Sequence, residues 1–90
     1  MPILVTAIVK GQTQQGYDGM LQSLRDAITK APGFIVHYSH SVDEGWVVSE
    51  IWSSKTDADT WYAKSVMPYL PPGIHPKRSY QELHIVVTAS

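Results

Sequence analysis

Tyr38, His40, Glu50 and Trp52 are the side chains whose types and spacing best equip this sequence for chemistry. A histidine takes a phenolic proton near neutral pH and a carboxylate holds its tautomer. A tyrosine donates to a developing oxyanion, and a tryptophan offers a flat face to an aromatic ring. His40 is read as the base, Tyr38 as the donor, Glu50 as the orienting or proton-accepting group and Trp52 as the stacking wall. The same residues also fit a cross-strand Tyr38–Glu50 pair inside a core, with His40 wet beside a turn.

Positioning them falls to Gly45-Trp46-Val47-Val48-Ser49-Glu50-Ile51-Trp52-Ser53-Ser54, a strand running into a helix start. Trp46, Val48, Glu50 and Trp52 share one face at the strand period of two, and Val47 and Ile51 share the other with Ser49. Glu50, flanked on its face by Val48 and Trp52, must be solvated through a cavity, paired or protonated. Before it, Phe34 to Val42 alternates, with Phe34, Val36, Tyr38, His40 and Val42 on one face. Asp43-Glu44-Gly45 reads as a three-residue hairpin turn. Val42 opposite Trp46 then puts Tyr38 opposite Glu50 and Val36 opposite Trp52.

The other elements follow from pattern. Ile3 to Val9 is a branched apolar run suited to a central strand covered on both faces. Tyr17, Met20, Leu21, Leu24, Ala27, Ile28 and Ala31 form a helical stripe that Pro32-Gly33 stops. Ser54 caps a second helix, with Asp57 three residues on, and this helix presents Ala58, Trp61, Tyr62, Ser65 and Val66. A rigid loop through Pro71-Pro72-Gly73 and Pro76 carries His75, Lys77 and Arg78, and a last strand runs from Tyr80 to Ala89. Strand, helix, strand, strand, helix, strand is the ferredoxin-like α+β arrangement, a four-stranded antiparallel sheet with both helices on one face. A second copy is expected to cover the other face, giving a homodimer.

Ninety residues make one domain, residues 1–90, with a formal net charge of -1 and no cysteine. That charge gives no broad attraction to nucleic acid or anionic membranes, and without cysteine neither disulfides nor thiolate metal sites arise. No run reaches the ~20 apolar residues of a membrane span, so a cytoplasmic location is the expectation. His37, His75 and His84 lack metal-ligand spacing, and His37 and His84 read as satisfied polar residues. Gly11, Gly16 and Gly19 form no phosphate-binding pattern. No cofactor and no metal are expected.

Pro32-Gly33-Phe34 at the second strand, and above all Glu50-Ile51-Trp52-Ser53-Ser54, resemble the antibiotic biosynthesis monooxygenase-like members of the dimeric α/β-barrel superfamily. The resemblance covers nearly the whole chain and implies a cofactor-independent monooxygenase of a small aromatic or polyketide-like substrate. Trp52 matches the family's pocket tryptophan. Val48 stands where quinone-forming members carry an asparagine, and Thr60-Trp61-Tyr62-Ala63-Lys64 lacks the axial histidine of haem-degrading members. Phe34, Val48, Trp52, Trp61 and Tyr62 are the expected substrate contacts. A cyclase or isomerase using the same acid and base, and a non-catalytic binding or assembly module, are the alternatives.

Overall fold

In the computed structural model, which describes residues 1–89, the hairpin strands are the frame on which everything else is set. Strand β1 is Ile3–Lys10, helix α1 Gln14–Thr29, β2 Phe34–Val42, β3 Gly45–Trp52, helix α2 Lys55–Trp61 and β4 Lys77–Glu82. The sheet is antiparallel in the order β2-β3-β1-β4, the ferredoxin-like topology expected. Val5, Ile28, Trp52, Ala58 and Trp61 form the core between sheet and helices, with Leu24, Phe34 and Val66 packed against it. The far face of the sheet has no such layer: Ile8, Tyr38 and Val42 are 50%, 49% and 40% exposed.

Helix α2 starts where its sequence signal puts it, and α1 proves to be capped in the same way by Thr13. The Thr13 hydroxyl accepts from the Gly16 N–H at 3.0 Å, and the Ser54 hydroxyl accepts from the Asp57 N–H at 3.1 Å; each satisfies an otherwise orphaned donor. Helix α2 continues through a wider π-type turn, Tyr62–Val66, into a 3-10 turn, Met67–Tyr69. Pro68 lies in that last turn, and the chain then leaves helical geometry at Leu70. Gly33 follows α1 with a φ of +83°, and a Cβ there would drive into the Asp57 side chain. Gly33→Ala is therefore expected to destabilise the fold by roughly 1–3 kcal/mol through strain and collision. Urea unfolding measures this directly, and an unchanged midpoint would show that Asp57 yields freely.

The hairpin register differs from the sequence expectation. Val42 pairs with Gly45, so the connection is the two-residue turn Asp43-Glu44, and Gly45 belongs to the strand. The reason is steric: a Cβ on Gly45 would meet the Val9 carbonyl, so glycine serves the close approach of β3 to β1 rather than the turn. The shift sets Tyr38 opposite Ser49, His40 opposite Val47 and His37 opposite Glu50. A bulge between Phe34 and Val36 adds one residue to β2, which returns Phe34 to a position opposite Trp52.

Strand β4 also differs, starting earlier and ending sooner than Tyr80 to Ala89. Lys77 and Arg78 pair with Ile8 and Ala7, so they belong to the sheet and not to a loop. Pairing ends at Ile3 with Glu82 because β1 begins there, and the Leu83 N–H makes a last bond to the Pro2 carbonyl. Residues 83–89 have no further strand partner among the described residues.

Candidate active site

Glu50 is paired, held by two donors. Its Oε2 lies 2.7 Å from His37 Nδ1, and its Oε1 accepts from Trp52 Nε1 at 2.9 Å. The other imidazole nitrogen, Nε2, is 2.6 Å from the Tyr17 hydroxyl. With neutral histidine the chain has one consistent polarity: Tyr17 donates to Nε2, and Nδ1–H donates to the carboxylate. Three elements assemble it, since Tyr17 comes from α1, His37 from β2 and Glu50 with Trp52 from β3. The side chains of His37 and Glu50 are each only 15% exposed, so the pair works with little competing water.

Aromatic packing fixes the phenol. Tyr17 lies within 14° of parallel to the His37 ring and stacks on Trp46 with centroids 5.3 Å apart. Burial pushes the Tyr17 pKa above 10.0, opposed by a hydrogen bond from Ser39 and reinforced by the negative charges of Glu50 and Asp18. A folded-state pKa raised above the unfolded value contributes stability that is present below about pH 10 and lost as pH climbs through the folded value. Wild-type unfolding midpoints should therefore fall above about pH 10. Tyr17→Phe should flatten part of that fall while costing about 1–3 kcal/mol at neutral pH, because His37 loses a buried partner. Denaturant titrations between pH 7 and 11 check both, and an alkaline slope unchanged in the variant would refute the assignment. Tyr80 keeps some slope of its own, since burial raises its pKa too, followed by its bond to Asp59.

Beside this chain lies a cavity of about 80 Å³ between sheet and helices. By the same measure one water needs about 10–15 Å³, so the space suits a small molecule rather than a single solvent. Val5, Ala7, Val9 and Val48 form its floor, Leu24, Trp61 and Tyr62 its helical wall, and Tyr17, His37 and Glu50 contribute its polar groups. Arg78 stands at the β4 side with its guanidinium 3.9 Å from the Tyr62 ring centroid. It donates to the Tyr80 hydroxyl at 3.0 Å and lies 3.5 Å from Asp59, which also holds Lys55 at 2.8 Å. The hydrogen bond from Lys55, then that from Tyr80, keep the Asp59 carboxyl below the ordinary carboxylate range.

Of the residues singled out in the sequence, Glu50, Val48, Trp61 and Tyr62 meet at this cavity. Tyr38 and His40 do not, because the register turns them to the uncovered face; His40 Nδ1 instead lies 3.1 Å from the Ser41 carbonyl. Trp52 is 0% exposed and Phe34 packs edge-on against it, so both support the site from the core rather than forming a substrate wall. Tyr17 and His37 are the residues that pattern reading missed. Tyr17 was hidden in an apolar stripe, where only its hydroxyl signals a partner, and His37 falls on the apparent wrong side of an alternating strand. Among the described residues no group of three or more His, Asp or Glu side chains has metal-binding proximity. No described helix is long and apolar enough to cross a membrane.

No known family profile and no curated protein matches the sequence. Solved structures do. A protein of Shewanella loihica PV-4 named for an inferred monooxygenase activity superposes with a TM-score of 0.67 at 15% identity, covering 94% of this chain and 96% of its own. A mutant of SnoaB, a cofactor-independent oxygenase from Streptomyces nogalater, gives 0.64 at 10% identity over 98% and 97% of the two chains. A heme-degrading protein from Mycobacterium tuberculosis, in a heme-free form, gives 0.61 at 18% identity over 99% and 98%. Identities this low speak for backbone architecture alone, and what they establish is that the chain shares the ferredoxin-like α+β fold of these three proteins.

Proposed function

We propose that this protein is a cofactor-independent monooxygenase acting on a small aromatic or polyketide-like molecule in the cavity between sheet and helices. The observation that carries the reading is the Tyr17–His37–Glu50 chain beside an otherwise apolar cavity. A substrate hydroxyl placed against the Tyr17 oxygen passes its proton to the phenol as the phenol passes its own to His37 Nε2. Glu50 stabilises the imidazolium so formed, and Trp52 keeps the carboxylate aimed. The resulting substrate anion gives one electron to dioxygen, and recombination forms a carbon–oxygen bond and a hydroperoxide. Loss of water then leaves a carbonyl: one oxygen atom enters the product, the other leaves as water with two substrate hydrogens. Tyr17 returns the proton needed for that departure.

In this reading the donor and base are Tyr17 and His37 in place of Tyr38 and His40, while Glu50 keeps its role. Val48, Trp61 and Tyr62 contact the substrate. A second copy seated on the exposed Ile8, Tyr38 and Val42 face would complete a homodimer without entering the acid–base chain. The test is turnover of phenols under oxygen-18 gas with mass analysis of the product. One labelled atom per product supports the proposal, whereas turnover without label means a cyclase or isomerase running on the same acid–base pair. Tyr38→Phe and His40→Gln should retain activity within about twofold, and His37→Gln should not. Full activity in all three would show that turnover does not use the Tyr17–His37–Glu50 chain, and no turnover of any phenol by wild type would leave a binding module.

A further inference from the structure

The cavity is electrically lopsided. At its β2–β3 side stands the Glu50 carboxylate bonded to His37, and at its β4 side stands Arg78. Asp59 is the carboxylate nearest Arg78, but it is shared between Arg78 and Lys55, which leaves two cations to one anion. The Arg78 side chain is only 14% exposed, and one nitrogen carries its contacts to Tyr80 and Asp59. Its remaining N–H groups have no acceptor among the described residues, while the face of the Tyr62 ring packs against the guanidinium as a cation–π contact. Between the two ends the floor is Ala7, paired on one side with Val48 and on the other with Arg78. Strands β3 and β4 flank β1, two strand spacings or roughly 10 Å apart. Their polar side chains thus bracket one aromatic ring lying over a small residue.

Resting on the function proposed above, we infer that Arg78 is a specificity-determining residue and that the substrate is a phenol carrying a carboxylate. The carboxylate docks on the free edge of the Arg78 guanidinium, where charge-assisted bonds form in a site sheltered from water. The hydroxyl is thereby delivered to Tyr17 and His37, because the reverse orientation would set a carboxylate against Glu50. Recognition and proton removal are carried out at opposite ends of the same cavity.

Calorimetric titration with 4-hydroxybenzoate and with its neutral methyl ester, at pH 7 and under argon, tests this without any oxygen chemistry. The acid should bind wild type at least about tenfold more tightly than the ester, the effect of one sheltered charged pair. Arg78→Gln should bring the two affinities together, and Arg78→Lys should keep part of the preference. Circular dichroism confirms that each variant is folded, and the wild-type comparison stands even if one is not. An ester that binds as tightly as the acid, a preference that survives in Arg78→Gln, or no binding of either compound would overturn the assignment. The two readings separate cleanly. Acid preference without labelled product sinks the oxygenase chemistry alone, and labelled product from neutral phenols with no acid preference sinks the Arg78 role alone.

Discussion

Glu50→Gln is expected to lower turnover by about 10²- to 10⁴-fold while moving stability by no more than about 1 kcal/mol. The amide has nearly the shape of the carboxylate. Its oxygen can still accept from Trp52 Nε1, the bond that Glu50 Oε1 makes at 2.9 Å, and its NH2 group then faces His37 Nδ1. A nitrogen facing an N–H donor must be the acceptor, so the imidazole changes tautomer and carries its proton on Nε2. That proton points at Tyr17, and the direction of transfer is reversed: the histidine now donates where it had accepted. Nitrogen-15 spectra of the His37 ring report the tautomer independently of any substrate. A flipped tautomer with unimpaired turnover would show that the chain is structural. An unflipped tautomer would show that the amide had rotated and that Trp52 had lost its acceptor.

Trp52→Ala should bring the protein close to unfolded at 25 °C. Trp52 is completely buried, with Phe34 at 5.4 Å and Trp61 at 6.2 Å between ring centroids. Deleting a core tryptophan typically costs about 3–5 kcal/mol, and withdrawing the indole N–H from Glu50 adds about 1–3 kcal/mol for a buried carboxylate oxygen left without that donor. Domains of this size hold only some 5–14 kcal/mol in all. Trp52→Phe helps to separate the two contributions, since it removes the donor together with only the smaller part of the ring volume. Urea unfolding should rank wild type above Trp52→Phe above Trp52→Ala. A loss below about 2 kcal/mol in the alanine variant would mean that Trp61 and Phe34 close the gap.

The element order, the Ser54 cap and the strand Gly45–Trp52 were readable because each rests on local periodicity or on a side chain bonding to nearby backbone. Glu50 was readable as a misfit for the same reason: burial of a carboxylate between apolar neighbours demands a partner. Which partner was not readable, since that depended on a turn one residue tighter than Asp43-Glu44-Gly45 suggests and on a bulge that alternation alone conceals. Both are set by contacts distant in sequence, the approach of Gly45 to Val9 and of Phe34 to Trp52. Tyr17 reached the site for a similarly non-local reason, across twenty residues of chain to His37.

The extra residue near Ile35 makes β2 behave like a text with two reading frames. An unbulged strand could keep Phe34 on Trp52 or His37 on Glu50, but not both, because those residues are an odd number of positions apart. In one frame the strand offers His37 and Ser39 to the cavity; in the other it offers Val36, Tyr38 and His40. Both sets contain a histidine, and each adds a hydroxyl-bearing residue. A one-residue insertion or deletion in β2 therefore does more than damage a sheet: it exchanges one vocabulary of acid–base groups for another on an unchanged scaffold. Lineages sharing this fold can acquire different chemistry by length variation in a strand, without a single substitution in the cavity.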